Sequence, residues 1–150
     1  TGCSGVKLEG DIEMISSNSF RLTGLPDLTI TVNSQTELKD TNLSGLSSGD
    51  HVRVRGRLSG PNSVIATRVE LRSGDNDVDL QGPVQSITGN TIVIFGVSVD
   101  TSTIAQFESM SGTSMSRSGF LAEIRVNSIV KVKGKLNGST VRWEEAELED

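Results

Sequence analysis

The chain has 150 residues, a formal net charge of −5, one cysteine, one histidine and an aromatic share of 3% without any tyrosine. One Cys forbids an internal disulfide, and one His with one Cys cannot complete a tetrahedral zinc site of His and Cys ligands. Basic and acidic residues number 8 and 9 up to Asp75 and 6 and 10 beyond it, so neither half is built for generic attraction to a phosphate backbone, and aromatics are too few for base-stacking platforms.

Abundant Val, Ile, Leu and Thr favour strands, and Gly and Ser supply turns. No apolar stretch approaches the length of a membrane span. The opening Thr1-Gly2-Cys3-Ser4-Gly5 matches the end of a bacterial lipoprotein signal, in which the cysteine is acylated. Cys3 is therefore a candidate lipidation site that would tether one terminus without a spanning helix.

Val6 to Ile15 begins a strand, and Ser16-Ser17-Asn18-Ser19 is a turn. Phe20 and Leu22 share one face of a second strand. A turn around Gly24-Leu25-Pro26 precedes a third, alternating strand from Leu28 to Val32. Residues 36–48 lose the period of two, and Leu38, Leu43 and Leu46 suggest a short helix or an apolar-anchored loop. After Gly49-Asp50, Val52, Val54 and Leu58 face one way and Arg53, Arg55 and Arg57 the other. Gly56 falls on the apolar side, as where a barrel strand bends. In the last strand Val64 and Ala66 keep one parity, Val69 and Leu71 the other. Such a switch needs one extra residue, which predicts a β-bulge near Thr67-Arg68.

The same order then returns. Val6-Lys-Leu-Glu-Gly10 recurs as Val78-Asp-Leu-Gln-Gly82, and Val52-Arg-Val-Arg-Gly-Arg-Leu-Ser-Gly60 as Val130-Lys-Val-Lys-Gly-Lys-Leu-Asn-Gly138. The parity switch recurs too, at Glu144-Glu145. A repeat of this length is a small domain rather than a solenoid unit. We expect an all-β chain of two tandem five-stranded OB-like Greek-key barrels, 1–74 and 75–150. The linker between them is short enough to hold the copies in contact. The second copy alone carries a Ser/Gly-rich insertion near 105–120, which reads as an exposed loop.

No catalytic constellation emerges. Gly112-Thr113-Ser114-Met115-Ser116 resembles the nucleophile segment of subtilisin-like proteases, but such a serine needs a His base and an Asp, and the only histidine, His51, lies in a strand pattern. Asp75, Asp77 and Asp79 alternate as a calcium loop begins, yet an EF-hand wants Gly and Glu where Leu80 and Ser86 stand. No cofactor and no metal ligand set is expected. Arg53, Arg55 and Arg57, echoed by Lys131, Lys133 and Lys135, read first as a solvated strand face paired with acids such as Glu70 and Glu147. They read second as an anionic-ligand groove. OB barrels bind along strands two and three, which adds Arg21, Thr29 and Thr31, so the candidate binding face is Arg21, Thr29, Thr31, Arg53, Arg55, Lys131 and Lys133. Val93 and Phe95 look outward, as an exposed contact pair.

Gly-Asp-His-Val-Arg-Val-Arg-Gly-Arg-Leu, from Gly49, and Val-Ile-Ala-Thr-Arg-Val-Glu-Leu, from Val64, resemble the bacterial extracytoplasmic repeat family known as domain of unknown function 5666. The resemblance implies tandem copies behind secretion or lipoprotein signals and supplies no catalytic residues. The expected function is a non-enzymatic binding or structural module of the bacterial envelope, periplasmic or lipid-anchored; the alternative is an OB-type oligosaccharide- or oligonucleotide-binding module. The expected partners are an envelope protein or an oligosaccharide, with nucleic acid disfavoured and membrane contact only through Cys3.

Overall fold

Alternation of buried and open residues carries most of the described chain into strands. The computed structural model describes residues 6–39, 45–60, 62–73, 76–138 and 140–149; Cys3 and the linker's Asp75 lie outside them. In the first copy β1 (Val6–Ser16), β2 (Ser19–Leu22) and β3 (Leu25–Thr31) form an antiparallel meander, and β5 (His51–Gly60) and β6 (Ser63–Arg72) a hairpin. β1 also pairs with β5, and β3 runs parallel to β6 over Thr29–Thr31, so the ring β1-β2-β3-β6-β5-β1 closes. The short β4 (Glu37–Lys39) lies outside the ring, parallel to β6. A strand thus occupies the start of the segment read as helix or loop, and Leu43 is outside the described residues.

The second copy repeats the plan with β7 (Asp77–Thr88), β8 (Thr91–Ile94), β9 (Val97–Asp100), β12 (Ile129–Asn137) and β13 (Thr140–Glu149). The pairings β7–β8, β8–β9, β7–β12 and β12–β13 are all present. Among the described residues no ladder joins β9 to β13, so this barrel keeps a seam that β3 and β6 close in the first. The chain is all-β in two tandem five-stranded barrels, as expected.

The predicted bulges are present in both copies. Arg55 pairs with Arg68 and Gly56 with Ala66, leaving Thr67 as the extra residue; Lys133 pairs with Glu145 and Gly134 with Trp143, leaving Glu144. The bulge drives the backbone of one strand toward the other. A Cβ on Gly56 would lie 2.6 Å from the Ile65 carbonyl oxygen, and one on Gly134 2.4 Å from that of Arg142. Both positions therefore require glycine.

Two expectations for the first and second hairpins are corrected. The turn at Gly24 is only Thr23-Gly24, and Leu25 and Pro26, read as part of it, already belong to β3. Phe95 is fully buried rather than exposed. It sits with Gly96 between the paired Ile94 and Val97, both at positive φ (55° and 76°), the geometry of a tight I′ hairpin. Its ring lies against Gly82, where an added Cβ would come within 2.3 Å of it.

The insertion has no buried residue over 109–119, as expected of an exposed stretch, but it is not irregular. It folds into β10 (Gln106–Glu108), β11 (Ser114–Met115) and the helix α1 (Arg117–Glu123). Ser116 caps the helix by accepting from the Gly119 amide at 3.0 Å, a favoured N-cap role. Buried Phe107 and Phe120 stack with centroids 5.1 Å apart, and Arg117 donates to the carbonyls of Thr101, Ser102 and Ile104. Two apolar anchors and one arginine are enough to order a polar stretch. β10 runs parallel to β13, as β4 does to β6.

The copies are joined by a further ladder. β1 pairs antiparallel with β7: Lys7 with Gln81, Leu8 with Leu80, Glu9 with Asp79. Leu8 and Leu80 are repeat counterparts, so a pseudo-twofold axis passes between them. The turns obey the same axis. Gly24 packs on Val141 and Leu136 of the second copy, and Gly96 on Asn62 of the first. The buried residues of both copies, Leu8 and Leu80 included, belong to one apolar core. Burial of each such side chain contributes about 1.5–3 kcal/mol, which is how two units whose own cores are small gain from fusion.

Candidate functional site

Because β6, β5, β1, β7, β12 and β13 lie side by side, one outer face runs across both copies, and its residues follow from strand parity. One cross-strand row reads Glu70, Arg53, Glu9, Asp79, Lys133, Glu145; its neighbour reads Arg68, Arg55, Lys7, Gln81, Lys131, Glu147. The acids expected to partner the basic stripes do so: Glu70 stands opposite Arg53, and Glu147 opposite Lys131.

The first row is largely self-compensating. Glu9 accepts from Arg53 Nε at 3.1 Å and from His51 Nε2 at 2.9 Å, while His51 Nδ1 lies 2.8 Å from Asp11. His51 is only 6% exposed. Burial works to lower its pKa, but hydrogen bonds to Glu9 and Asp11 and their charges prevail, and the imidazole is held above its ordinary value. Burial likewise works to raise Glu9, and its bonds to His51 and Arg53 hold it below the usual carboxylate range. Among the described residues Asp79 has no such bonds. Burial raises it, the facing Glu9 and Asp77 add to that, and Lys131 and Lys133 only partly offset them.

The second row is different. Arg68, Arg55 and Lys7 are three cations on adjacent strands with no acid between them, an arrangement that costs stability through like-charge opposition. Lys7, Arg55 and Lys131 make no ion pair among the described residues. Arg68 reaches Glu70 only at 3.9 Å, and its Nε is buried without a hydrogen-bond partner. Where β1 meets β7 the face dips into a groove of about 190 Å³, lined by the cations Lys7, Arg53, Arg55 and Lys131, the acids Glu9 and Asp79, and Leu8.

The structure brings Arg53, Arg55 and Lys131 together here, with Lys133 in an adjoining depression beside Arg53. Arg21, Thr29 and Thr31 line neither hollow. Arg21 is exposed and paired with Glu13 at 3.3 Å, and half-buried Thr29 and Thr31 sit in the β3–β6 ladder. Lys7, Glu9 and Asp79 are groove residues that the strand pattern alone did not single out. They come together only through the pairing of β1 with β7.

Glu108, Glu145 and Glu147 offer oxygens within 4.8 Å of one another, and are the residues that could share a hard cation. Burial, with the charges of Glu149, Glu145 and Glu108, raises Glu147 despite Lys133. Asp77 of the calcium-like run is ion-paired with Lys135. Ser114 lies in β11, Ser116 caps α1, and His51 lies in β5.

A family model, described as Domain of unknown function (DUF5666), matches residues 9–70 and again 81–142. The chain belongs to this family. The two DUF5666 matches lie one in each barrel, and their joint extent takes in Glu9, Arg53, Arg55, Lys131 and Lys133. No curated protein and no solved structure matches the chain. No described helix is long and apolar enough to cross a membrane.

Proposed function

We propose that the protein is a non-enzymatic binding module of the bacterial envelope, held at a membrane through an acyl chain on Cys3, and that its ligand is acidic. The observation that carries this reading is the second row of the shared face. Lys7, Arg55 and Lys131 converge on one groove, and none of the three makes an ion pair among the described residues. A concave site that presents three cations without ion-pair partners is matched to an anion that pairs with them. The OB-like ring order adds a precedent for binding extended ligands, although the groove lies on the face where β1 meets β7 and not on strands two and three.

The test of binding is a thermal-shift series with polygalacturonate, polyphosphate and neutral dextran. A ligand selective for the folded state raises Tm by mass action. We expect a dose-dependent rise with a polyanion and none with dextran; flat curves with every polyanion would remove the reading. Anchoring is tested separately, by palmitate labelling of the full-length gene product in a bacterium. Label is expected, and its persistence after Cys3→Ala would exclude that site.

A further inference from the structure

Resting on the reading of an acidic ligand, we infer that the groove at the β1–β7 junction is a binding site for an acidic oligosaccharide laid across the strands. Its carboxylates are taken by Arg55, Lys7 and Lys131, and its hydroxyls donate to Glu9 and Asp79.

Three observations carry the assignment. First, the cations form a line. Arg68, Arg55, Lys7 and Lys131 occupy β6, β5, β1 and β12, with Gln81 on β7 between the last two. Strands are about 4.8 Å apart, so the line spans roughly 19 Å. A single small anion would satisfy one or two members of it; a chain carrying an acid on each unit satisfies all. Second, the line is flanked by acceptors. Glu9 and Asp79 border the same groove. Sugar hydroxyls are donors that carboxylates can accept from, whereas phosphodiester oxygens carry no donor and would be repelled there. Third, no aromatic platform is available. All four Phe and the single Trp are buried, so bases would find nothing to stack on. A glycan with alternating acids and hydroxyls fits this surface, and a nucleic acid does not.

The experiment is isothermal titration of the whole chain with oligogalacturonates of two to six units. The controls are the methyl-esterified oligomers and an oligodeoxynucleotide of equal charge. We expect affinity to rise with length until the row is covered, to vanish on esterification, and to fall at least tenfold in Lys7→Gln/Arg55→Gln and in Lys131→Gln. These are surface substitutions, and an unchanged Tm verifies folding. Arg21→Gln, on the far candidate face, should bind as the parent does. Binding that survives the groove variants but is lost in Arg21→Gln would overturn this site while leaving an acidic ligand in place. Equal affinity for the oligodeoxynucleotide would overturn the glycan assignment. Failure of every anion to bind would overturn both this inference and the reading beneath it.

Discussion

Glu9 and Asp79 face each other across the β1–β7 ladder, one carboxylate directly opposite another at the junction of the two copies. Glu9 is drawn into the His51–Arg53 cluster, and Asp79 is left to bear the repulsion. The fold therefore holds a carboxylate whose ionised form it disfavours.

Removing that charge should stabilise the chain. Asp79 has a folded pKa above its ordinary 3.8, so its ionisation penalises the native state at neutral pH, and the penalty disappears once both states are protonated. We expect Asp79→Asn to raise Tm at neutral pH by about 2 °C, with the gain shrinking toward zero in acid. Differential scanning calorimetry at the two ends of that range is the check. A gain of equal size in acid would show that the charge is not its source.

The histidine cluster has the opposite sign. His51 is raised above 6.5 by its bonds to Glu9 and Asp11, so its contribution is complete below that value and is lost as pH rises through the folded pKa. The depressed Glu9 contributes above 4.5 and is lost as pH falls through its folded value. Chemical denaturation of the parent and of His51→Asn should therefore differ most near pH 6, by about 1.5–3 kcal/mol for bonds between charged groups. The curves should converge toward pH 9, the far side of the histidine range. A difference independent of pH would exclude the imidazolium.

The bulges make a steric prediction. Gly134→Ala would place a methyl 2.4 Å from the Arg142 carbonyl oxygen, and Gly56→Ala one 2.6 Å from that of Ile65. The obstacle is backbone, which cannot rotate aside, so each should cost about 1–3 kcal/mol. Gly10→Ala meets only the Leu22 side chain at 3.6 Å and should stay within about 0.5 kcal/mol of the parent or improve on it. Urea midpoints of the three variants test the contrast; equal losses would dismiss the bulge as the cause.

These features were not equally legible in the chain. The parity switch at Val64, Ala66, Val69 and Leu71 places a bulge without any structure, because side-chain parity directly reports backbone register. The joining ladder has no such signal. Leu8 and Leu80 alternate inward whether or not the far edge of β1 is paired, since backbone hydrogen bonds leave no mark on side-chain pattern. Phe95 is misread by parity because a tight turn at positive φ redirects its side chain into the core. Phe107 and Phe120 are diluted by the Ser and Gly around them, so the insertion reads as a loop. At the site, the basic stripes are visible as alternation. Their convergence with Lys7 depends on which strand of which copy lies next door, and the same is true of His51, whose acids are 40 and 42 positions away.

Joining two copies in one chain has a consequence beyond the area it buries. Two identical subunits about a twofold axis must present the same charges on both sides of it. Here Lys7 meets Gln81 where a true dimer would set it against the partner's equivalent of Glu9, and Arg68 at one end of the face is answered by its repeat counterpart Glu145 at the other. Duplication followed by divergence has given a symmetric scaffold a head and a tail, so that anything laid along it can be held in one orientation and not the reverse.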